Sequence, residues 1–496
     1  MKIYDIETIE PKGILTWFKK ICAIPHGSFK EHALVQMLQD NLKKTDCEII
    51  TFSSGAFLVR KKATPGLEKL PWVMLQGHTD MVQVKEDNLD IDMSKTPIKP
   101  YYDTEKKWIK AEGTSLGADN GIAIAIMMEV LTNPNVAHGP IECLFTTGEE
   151  VDSTICMKSI PKGCFKSKQI INLDCDDDSS IFVGSGSCAT INIEHKYKEN
   201  EITNDGQNWQ IKLSNFTGGH SGGNIHLAHI NPIIMLATAL YEFAKHDDLN
   251  IITWEGGFVD NAIPTYCNIS IKIPNNTIDK LKKIIDKHFT NAKIIAQGHD
   301  NQAAINYETI SLSTSNKMLS VKDSLLLLKM LYLLPNGMYN QNKSVGCMFN
   351  SSNLGKIRLS NCECKLGLSS RSFIDSDCLQ IANKIVDFCR LFKIRKKETS
   401  INLACGAWLV PDVEKSSLIQ TWRSNFVKIH NTQPKIISIA GGLEIADIIK
   451  KSPQMVNNSL SSGPKIIMEH STSEAVITDS ITNLWNVLTL TLKEIK

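Results

Sequence analysis

Short apolar segments, each followed by chemically active side chains, are the feature that most constrains this chain. Residues 72–75, 141–145 and 170–173 each have the length and composition of a buried β-strand. A helical pattern lies between the first two, over residues 121–131, and stops before Asn133-Pro134. Strands that alternate with helices are typical of a sheet with crossover connections. The sequence therefore predicts an α/β domain with a mostly parallel central sheet.

The pattern changes after about residue 186. Half-exposed strands and helices neighbour each other in two blocks, residues 190–275 and 320–392, which indicates a smaller α+β insertion. The α/β pattern returns after about residue 401, and the final helix is predicted to begin near Ser473. The predicted organisation is an α/β domain in two parts, residues 1–186 and 399–496, interrupted by an α+β insertion, residues 187–398, with two sub-blocks.

Composition excludes several classes of protein. The 496 residues include 54 Lys and Arg and 53 Asp and Glu, so the net charge of +1 argues against binding nucleic acid through a strongly basic face. No apolar stretch approaches the roughly 20 residues of a membrane span. The first ten residues carry Asp5, Glu7 and Glu10 and lack the apolar core of a signal peptide. The fourteen cysteines are scattered, as in a reducing compartment. We expect a cytoplasmic protein with neither a membrane nor a nucleic-acid partner.

Acidic and imidazole side chains follow the predicted strands directly or, in the segment 115–121, precede the predicted helix. In open α/β sheets, ligands bind beyond the carboxyl ends of the strands, so these side chains are expected to converge at one edge. Several carboxylates close to one imidazole would repel each other without a cation, and a pair of divalent metals would relieve that repulsion. Nitrogen and oxygen ligands together suit zinc, with cobalt or manganese as alternatives. The side chains are His78, Asp80, Asp119, Glu149, Glu150 and Asp174.

Each of these signals is weak by itself. A histidine two residues before an aspartate, as in His78 and Asp80, is usually an ordinary pair, and the adjacent acids Glu149 and Glu150 usually form a solvated loop. The metal prediction depends on their occurrence together at successive strand ends.

Six motifs occur in order along the chain: QGHTDMV, SLGADNG, TTGEE, NLDCDDD, GGHSGG and EHSTSEA. DNAIP at residues 260–264 and SSRSFIDS at residues 369–376 accompany them. Together these motifs resemble those of the co-catalytic zinc peptidases of the aminoacylase/carboxypeptidase group, and within it the aminoacyl-histidine dipeptidases. The resemblance extends over nearly the whole chain.

The resemblance implies a role for each matching residue. His78 would bind one metal and His470 the other, Asp119 would bridge the two metals, and Glu150 and Asp174 would each complete one site. Glu149 would be the general base and acid, and Asp80 would orient His78. Three further implied roles concern the substrate: His220 would stabilise the oxyanion, Asn261 and Arg371 would bind the substrate, and the turn at Gly442 would offer it backbone N–H groups.

The implied activity is hydrolysis of dipeptides with a free N-terminus, Xaa-His among them, by a water that a di-zinc centre activates and Glu149 deprotonates. A related N-acyl amino acid deacylase or tripeptidase with the same metal centre is the alternative. The resemblance also implies a homodimer, with the insertion serving as a lid or dimerisation domain.

Two departures and two alternatives accompany the resemblance. The family commonly has His-Ser-Pro-Asp-Glu where this chain has His470-Ser471-Thr472-Ser473-Glu474, so a proline and an aspartate are missing while the histidine and the glutamate remain. Gly148 occupies a position at which the residue type varies within the family. Without the resemblance, His220 would be interpreted as a turn residue among glycines, and Arg371 as a surface partner of Asp375.

Overall fold

The computed structural model describes residues 1–201, 206–311, 317–342 and 347–496. The chain forms two compact units. The first unit contains Met1–Gly184, Trp408–Ile437 and Leu443–Lys496, and the second contains Ser185–Ala407 and Ser438–Gly442. The chain therefore leaves the first unit twice, once for a long insertion and once for a segment of a few residues.

The helices and strands follow one another in chain order. Before the insertion they are β1 (Lys2–Ile3), α1 (Lys12–Cys22), α2 (His32–Leu42), β2 (Glu48–Thr51), β3 (Phe57–Lys61), β4 (Val73–His78), β5 (Pro100–Asp103), β6 (Trp108–Ala111), α3 (Ala118–Thr132), β7 (Ile141–Thr146), α4 (Glu149–Ser159), β8 (Gln169–Asn172) and β9 (Ser180–Ser185). The insertion contributes β10 (Ser187–Lys196), β11 (Asn200–Glu201), β12 (Gln207–Ser214), β13 (Gly219–His220), α5 (Pro232–Ala244), β14 (Asn250–Gly256), β15 (Ala262–Ile263), β16 (Cys267–Ile273), α6 (Ile278–Ile295), β17 (Ala304–Thr309), β18 (Lys317–Met318), α7 (Val321–Leu333), β19 (Gly337–Asn342), β20 (Cys347–Ser360), β21 (Glu363–Ser372), α8 (Asp375–Arg390) and β22 (Thr399–Cys405). After it come β23 (Trp408–Leu409), α9 (Ser417–His430), β24 (Lys435–Ile439), α10 (Ile445–Lys451), β25 (Ser459–Ser461), β26 (Ile466–Ile467), β27 (Ala475–Ile477) and α11 (Thr478–Glu494).

The large sheet of the first unit is mixed. Its described strands run in the order β2, β3, β7, β4, β8, β25, β9 and β23. Strands β7, β4, β8 and β25 pair in parallel, whereas β2 with β3, β3 with β7, and β25 with β9 pair antiparallel. The prediction of an α/β unit with crossover helices agrees with the parallel centre, but a mostly parallel sheet is not confirmed.

Apolar residues on both faces of the central strands explain why these strands are buried. Every residue of β4 and β7 is buried, as expected for strands covered by helices on both sides. The rings of Phe57 and Phe145, on neighbouring strands, stack with their centroids 4.4 Å apart. Helix α3 is apolar on nearly all sides and packs against both α1 and β4. This core fixes the carboxyl ends of the parallel strands, where the predicted site residues follow.

In the second unit, both α+β blocks contribute to one antiparallel sheet. Its described strands run in the order β17, β12, β16, β14, β20, β21, β10 and β22. Strands β14 and β20 join the two blocks, with Trp254 opposite Leu359. Helices α5 to α8 share one hydrophobic core with this sheet and confirm the helices predicted in the insertion.

One predicted helix boundary is wrong. The final helix begins at Thr478 and not near Ser473, because Ala475–Ile477 pairs as strand β27 between β26 and β6. Within the described ranges, no helix is both long enough and apolar enough to cross a membrane.

Candidate active site

The carboxyl ends of β4, β7 and β8 bring His78, Glu149, Glu150 and Asp174 to one edge of the sheet, as the sequence predicts. His78 is the last residue of β4 and is almost fully buried. Its Nε2 lies 3.1 Å from Asp119 Oδ1 and 3.3 Å from Asp174 Oδ1. Donor atoms of His78, Asp119 and Asp174 lie within 4.8 Å of one another, which is close enough to bind one metal ion.

A second group of donors shares Asp119. His470 Nε2 lies 3.3 Å from Asp119 Oδ2 and 2.9 Å from Glu150 Oε1. Asp119 thus presents one carboxylate oxygen to each imidazole. The donor atoms of Asp119, Glu150 and His470 also lie within 4.8 Å of one another, and so do those of His78, Glu149 and Glu150.

Asp80 binds the first turn of helix α4, which begins with the two glutamates. Its carboxylate accepts the backbone N–H of Glu149 at 3.0 Å and that of Glu150 at 3.1 Å, and Ser28 Oγ donates to it at 2.8 Å. Asp80 Oδ1 also lies 3.3 Å from His78 Nδ1. Burial opposes the charge, but His78 and these donors outweigh it and lower the pKa of Asp80 to about 2. Asp80 therefore touches both the histidine and the glutamates.

The electrostatics of the group fit a cation. Burial would lower the pKa of His78, but the nearby carboxylates, Asp174 first, hold it well above its usual range. Burial raises the pKa of Glu149 well above normal, and the charge of Asp174 adds to this effect although His78 opposes it. The pKa of His470 is raised to about 10 by its hydrogen bonds to Asp119 and Glu150. A divalent cation would replace these protons, and imidazole nitrogens with carboxylate oxygens form a donor set that zinc accepts.

A layer of buried polar side chains lies directly behind the metal-ligand candidates, and sequence reasoning missed it. Gln76 Nε2 donates to Glu444 Oε2 at 2.8 Å, and the hydroxyl of Thr146 donates to the same oxygen. Asn172 Nδ2 donates to Gln76 Oε1 at 2.5 Å. Gln76 and Asn172 precede His78 and Asp174 by two residues, and residues two apart share a strand face. That spacing was a readable signal for Gln76 and Asn172, whereas nothing local pointed to Glu444 as a member of this layer.

In the second unit, Arg371 and His220 lie side by side. The guanidinium of Arg371 is buried and donates to Ser221 Oγ at 3.1 Å and to the carbonyl oxygen of Ala440 at 2.8 Å. Its Nη2 lies 3.0 Å from His220 Nε2, and the backbone N–H of Gly223 donates to His220 Nδ1 at 3.1 Å. Burial and the charge of Arg371 lower the pKa of His220 to about 4, so the ring is neutral at physiological pH.

The two remaining predicted substrate residues also lie in the second unit. Asn261 is exposed and precedes β15, which pairs with the His220 strand β13. Its backbone carbonyl accepts the N–H of Ser221 at 2.9 Å. Gly442 packs closely on Cys405, and a Cβ added at residue 442 would lie 2.8 Å from the Sγ of Cys405. The structure thus brings Asn261 near His220, and it explains the glycine at residue 442 by a close approach.

Comparisons with known proteins show relatives over the full length of the chain. Residues 211–296 match the model of the peptidase dimerisation domain. The cytosol non-specific dipeptidase of Escherichia coli strain K12 is 29% identical over 494 residues, which are 99% of each chain. The crystal structure of aminoacylhistidine dipeptidase from Vibrio alginolyticus is 28% identical, has a TM-score of 0.89, and matches over 99% of this chain and 98% of that one.

A more distant structure shares the fold alone. The dipeptidase Dug1p from Saccharomyces cerevisiae is 13% identical with a TM-score of 0.51, over 98% of this chain and 96% of that one.

The fold, the donor groups and the relatives together define a class. The chain is a hydrolase that acts on peptide bonds, and part of it matches the dimerisation domain of the M20 peptidases. Over its full length it is similar to the aminoacylhistidine, or cytosol non-specific, dipeptidases.

Proposed function

We propose that this protein hydrolyses dipeptides that have a free N-terminus, with two divalent metal ions, zinc in the first place, at the site of the first unit. The observation that carries this proposal is the placement of Asp119. Its Oδ1 lies 3.1 Å from Nε2 of His78 and its Oδ2 lies 3.3 Å from Nε2 of His470. A carboxylate with one oxygen toward each of two imidazoles is suited to bridge two cations.

The remaining donors divide between the two proposed metals. His78 and Asp174 would hold one metal, Glu150 and His470 the other, and Asp119 both. Cations bound there would lower the pKa of a water molecule and polarise the peptide carbonyl. Glu149 follows strand β7 at the same edge, and its backbone is held by Asp80. We therefore assign Glu149 the task of taking a proton from the attacking water and delivering it to the leaving amine.

The second unit supplies the proposed substrate contacts. His220 is neutral at physiological pH, so an N–H of its ring can donate to the oxyanion of the tetrahedral intermediate. Arg371 offers a planar fork that matches the C-terminal carboxylate of a dipeptide. Asn261 and Gly442 are assigned supporting roles in substrate binding, on the family resemblance of their motifs.

The test is hydrolysis of a dipeptide panel by protein stripped of metal and refilled with zinc, cobalt or manganese. The panel includes an Xaa-His dipeptide, a tripeptide and an N-acetyl amino acid. We expect metal-dependent cleavage of the free dipeptides. Cleavage of the N-acetyl compound alone would instead identify a deacylase, and preference for the tripeptide a tripeptidase. Folded protein that binds metal but cleaves none of these compounds would overturn the proposal.

Adjacent glutamates provide matched variants for the same experiment. Glu149→Gln should lower kcat by roughly 10²–10⁴-fold, the usual contribution of a general base, while zinc affinity stays close to wild type. Glu150→Gln should lower zinc affinity, because it removes a ligand. Equal loss of zinc affinity in both variants would contradict the proposed division of roles.

We also propose that the protein is a cytoplasmic homodimer. The match of residues 211–296 to a peptidase dimerisation domain supports the dimer, and the cytosolic name of the Escherichia coli relative supports the location. Analytical ultracentrifugation should give twice the mass of the 55.2 kDa chain. A monomer at micromolar concentration would contradict the proposal.

A further inference from the structure

The carboxylate of Glu474 receives four consecutive backbone N–H groups. Leu116 and Gly117 donate to Oε2 at 2.7 and 3.0 Å, and Ala118 and Asp119 donate to Oε1 at 2.8 and 3.4 Å. The Glu474 side chain is buried. Helix α3 begins here, and its N-cap residue, Gly117, has no side chain to accept these bonds. Glu474 therefore supplies the cap for the segment that contains Asp119.

The other end of Glu474 is attached to the His470 loop. Glu474 follows His470 by four residues, and its own N–H donates to Ser471 O at 3.2 Å. The next residue, Ala475, begins strand β27 and pairs with Lys110 of β6. The backbone of Glu474 is thus fixed by a sheet, while its carboxylate reaches the segment that leads into α3.

We infer that Glu474 is a positioning residue, which holds the Asp119 segment against the His470 loop and so sets the separation of two proposed metal ligands. This inference rests on the proposed metal site. The nitrogen of His470 and the Asp119 oxygen nearest to it are 3.3 Å apart, although the residues come from distant parts of the sequence. Groups that orient metal ligands typically contribute 10–100-fold to metal affinity.

A second buried glutamate provides a matched control. Glu142 lies on β7 and accepts the backbone N–H groups of Lys166, at 3.0 Å, and Ser167, at 2.8 Å, besides Nε of Arg60 at 3.0 Å. It is the second residue of β7, whose far end leads to Glu149, so it is remote from the site. Glu142→Gln therefore disturbs the same kind of buried carboxylate without touching a proposed metal ligand.

The experiment measures zinc affinity by competition with a chromophoric chelator, together with Tm, kcat and KM. We expect Glu474→Gln to weaken zinc binding by roughly 10–100-fold and to lower kcat more than it changes KM, because an amide has one acceptor oxygen instead of two. Glu142→Gln should lower Tm and leave zinc affinity unchanged. Glu474→Asp keeps the charge with a shorter reach and should bind zinc more tightly than Glu474→Gln.

Other outcomes would overturn the inference. If Glu474→Gln lowers Tm as Glu142→Gln does while its zinc affinity stays within about twofold of wild type, Glu474 is a helix cap and nothing more. If Glu474→Gln does not fold, the zinc affinity of Glu474→Asp decides: a wild-type value overturns the inference. Wild-type protein that binds no zinc overturns both this inference and the proposed metal site. Wild-type protein that binds zinc but cleaves no dipeptide overturns the proposed function alone.

Discussion

Arg371 and His220 meet through nitrogen atoms, with Nη2 of the guanidinium 3.0 Å from Nε2 of the imidazole. The opposite ring nitrogen, Nδ1, faces the N–H of Gly223 at 3.1 Å. A neutral imidazole has one acceptor nitrogen and one N–H, so it cannot accept a full hydrogen bond from both donors. A carboxylate that attracts Arg371 would free Nε2 to carry the proton, as the proposed role of His220 requires.

Replacing Arg371 should therefore affect both substrate binding and the histidine. Arg371→Met is expected to lower kcat/KM for dipeptides. The corresponding activation free energy should rise by about 2–5 kcal/mol, the usual effect of removing one partner of a buried charge pair. The pKa of His220 should rise from about 4, because the positive charge beside it is gone. Steady-state kinetics and an NMR titration of labelled histidines measure the two effects.

Arg358 is the control for this variant. It lies on the neighbouring strand β20 and donates to the carbonyl oxygens of Gly256 and Gly257. Arg358→Met should lower stability and leave KM unchanged. A His220 pKa that does not move in Arg371→Met would contradict the electrostatic role of the arginine.

Glu444 should make the stability of the metal-free protein depend on pH. Burial raises its pKa from 4.5 to about 8. An acid with a raised pKa in the folded state stabilises the fold fully below pH 4.5, and that stability is lost as the pH rises through about 8. In Glu444→Gln the amide keeps an acceptor for Gln76 and Thr146 and never ionises. Glu444→Gln should therefore become more stable relative to wild type as the pH rises. Thermal unfolding should show that the difference in Tm, variant minus wild type, increases from pH 5 to pH 9. A difference that is constant across this range would contradict the burial of an ionisable Glu444.

Asp80 is expected to act on two parts of the site at once. Asp80→Asn retains one carbonyl oxygen for the N–H groups of Glu149 and Glu150, so the start of helix α4, which carries both glutamates, should shift. We expect zinc affinity and kcat each to fall by roughly 10–100-fold. Ser28→Ala is the mild comparison, because it removes a single hydrogen bond to Asp80, with a net value of about 1 kcal/mol. If the two variants behave alike in zinc titration and kinetics, the carboxylate of Asp80 does not position the site.

Gly148 should not tolerate a side chain. It has φ 70°, and a Cβ there would lie 2.5 Å from Cε1 of Phe29. Gly148→Ala combines left-handed strain of about 1–2 kcal/mol with this clash, and we expect a lower Tm and a lower kcat because Glu149 is the next residue. Gly163→Ala has a similar φ, 76°, with open space around the Cβ, and it isolates the strain. Equal effects of the two substitutions on kcat would argue against a link between Gly148 and Glu149.

The residues at the strand ends were predictable because the rule that places them is local. A run of apolar residues marks each strand, and the first polar residues after it must lie at its carboxyl end. His78, Glu149 and Asp174 follow from this rule. Asp119 does not follow a strand, but its segment precedes a predicted helix, and it was expected at the same edge of the sheet. His470 was placed by the family motifs alone.

The contacts of Glu474 and Glu444 could not be predicted by such a local rule. The predicted start of the final helix near Ser473 puts Glu474 in its first turn, where an acid is favourable, but the N–H groups that donate to its carboxylate lie about 355 residues earlier in the chain. Glu444 comes two residues after Gly442, and its contact with Gln76 spans 368 residues. Contacts of this kind depend on how distant segments pack, and no periodicity in the sequence encodes them.

The pairing of Trp254 with Leu359 has a consequence for any attempt to shorten the insertion. A deletion that removes the second block would leave β14 without the neighbour that satisfies its outer backbone groups. Such a bare edge favours pairing with the edge of another molecule and hence aggregation. The insertion can therefore be trimmed at its turns, but it cannot be halved without a replacement strand or a charged residue to protect the new edge.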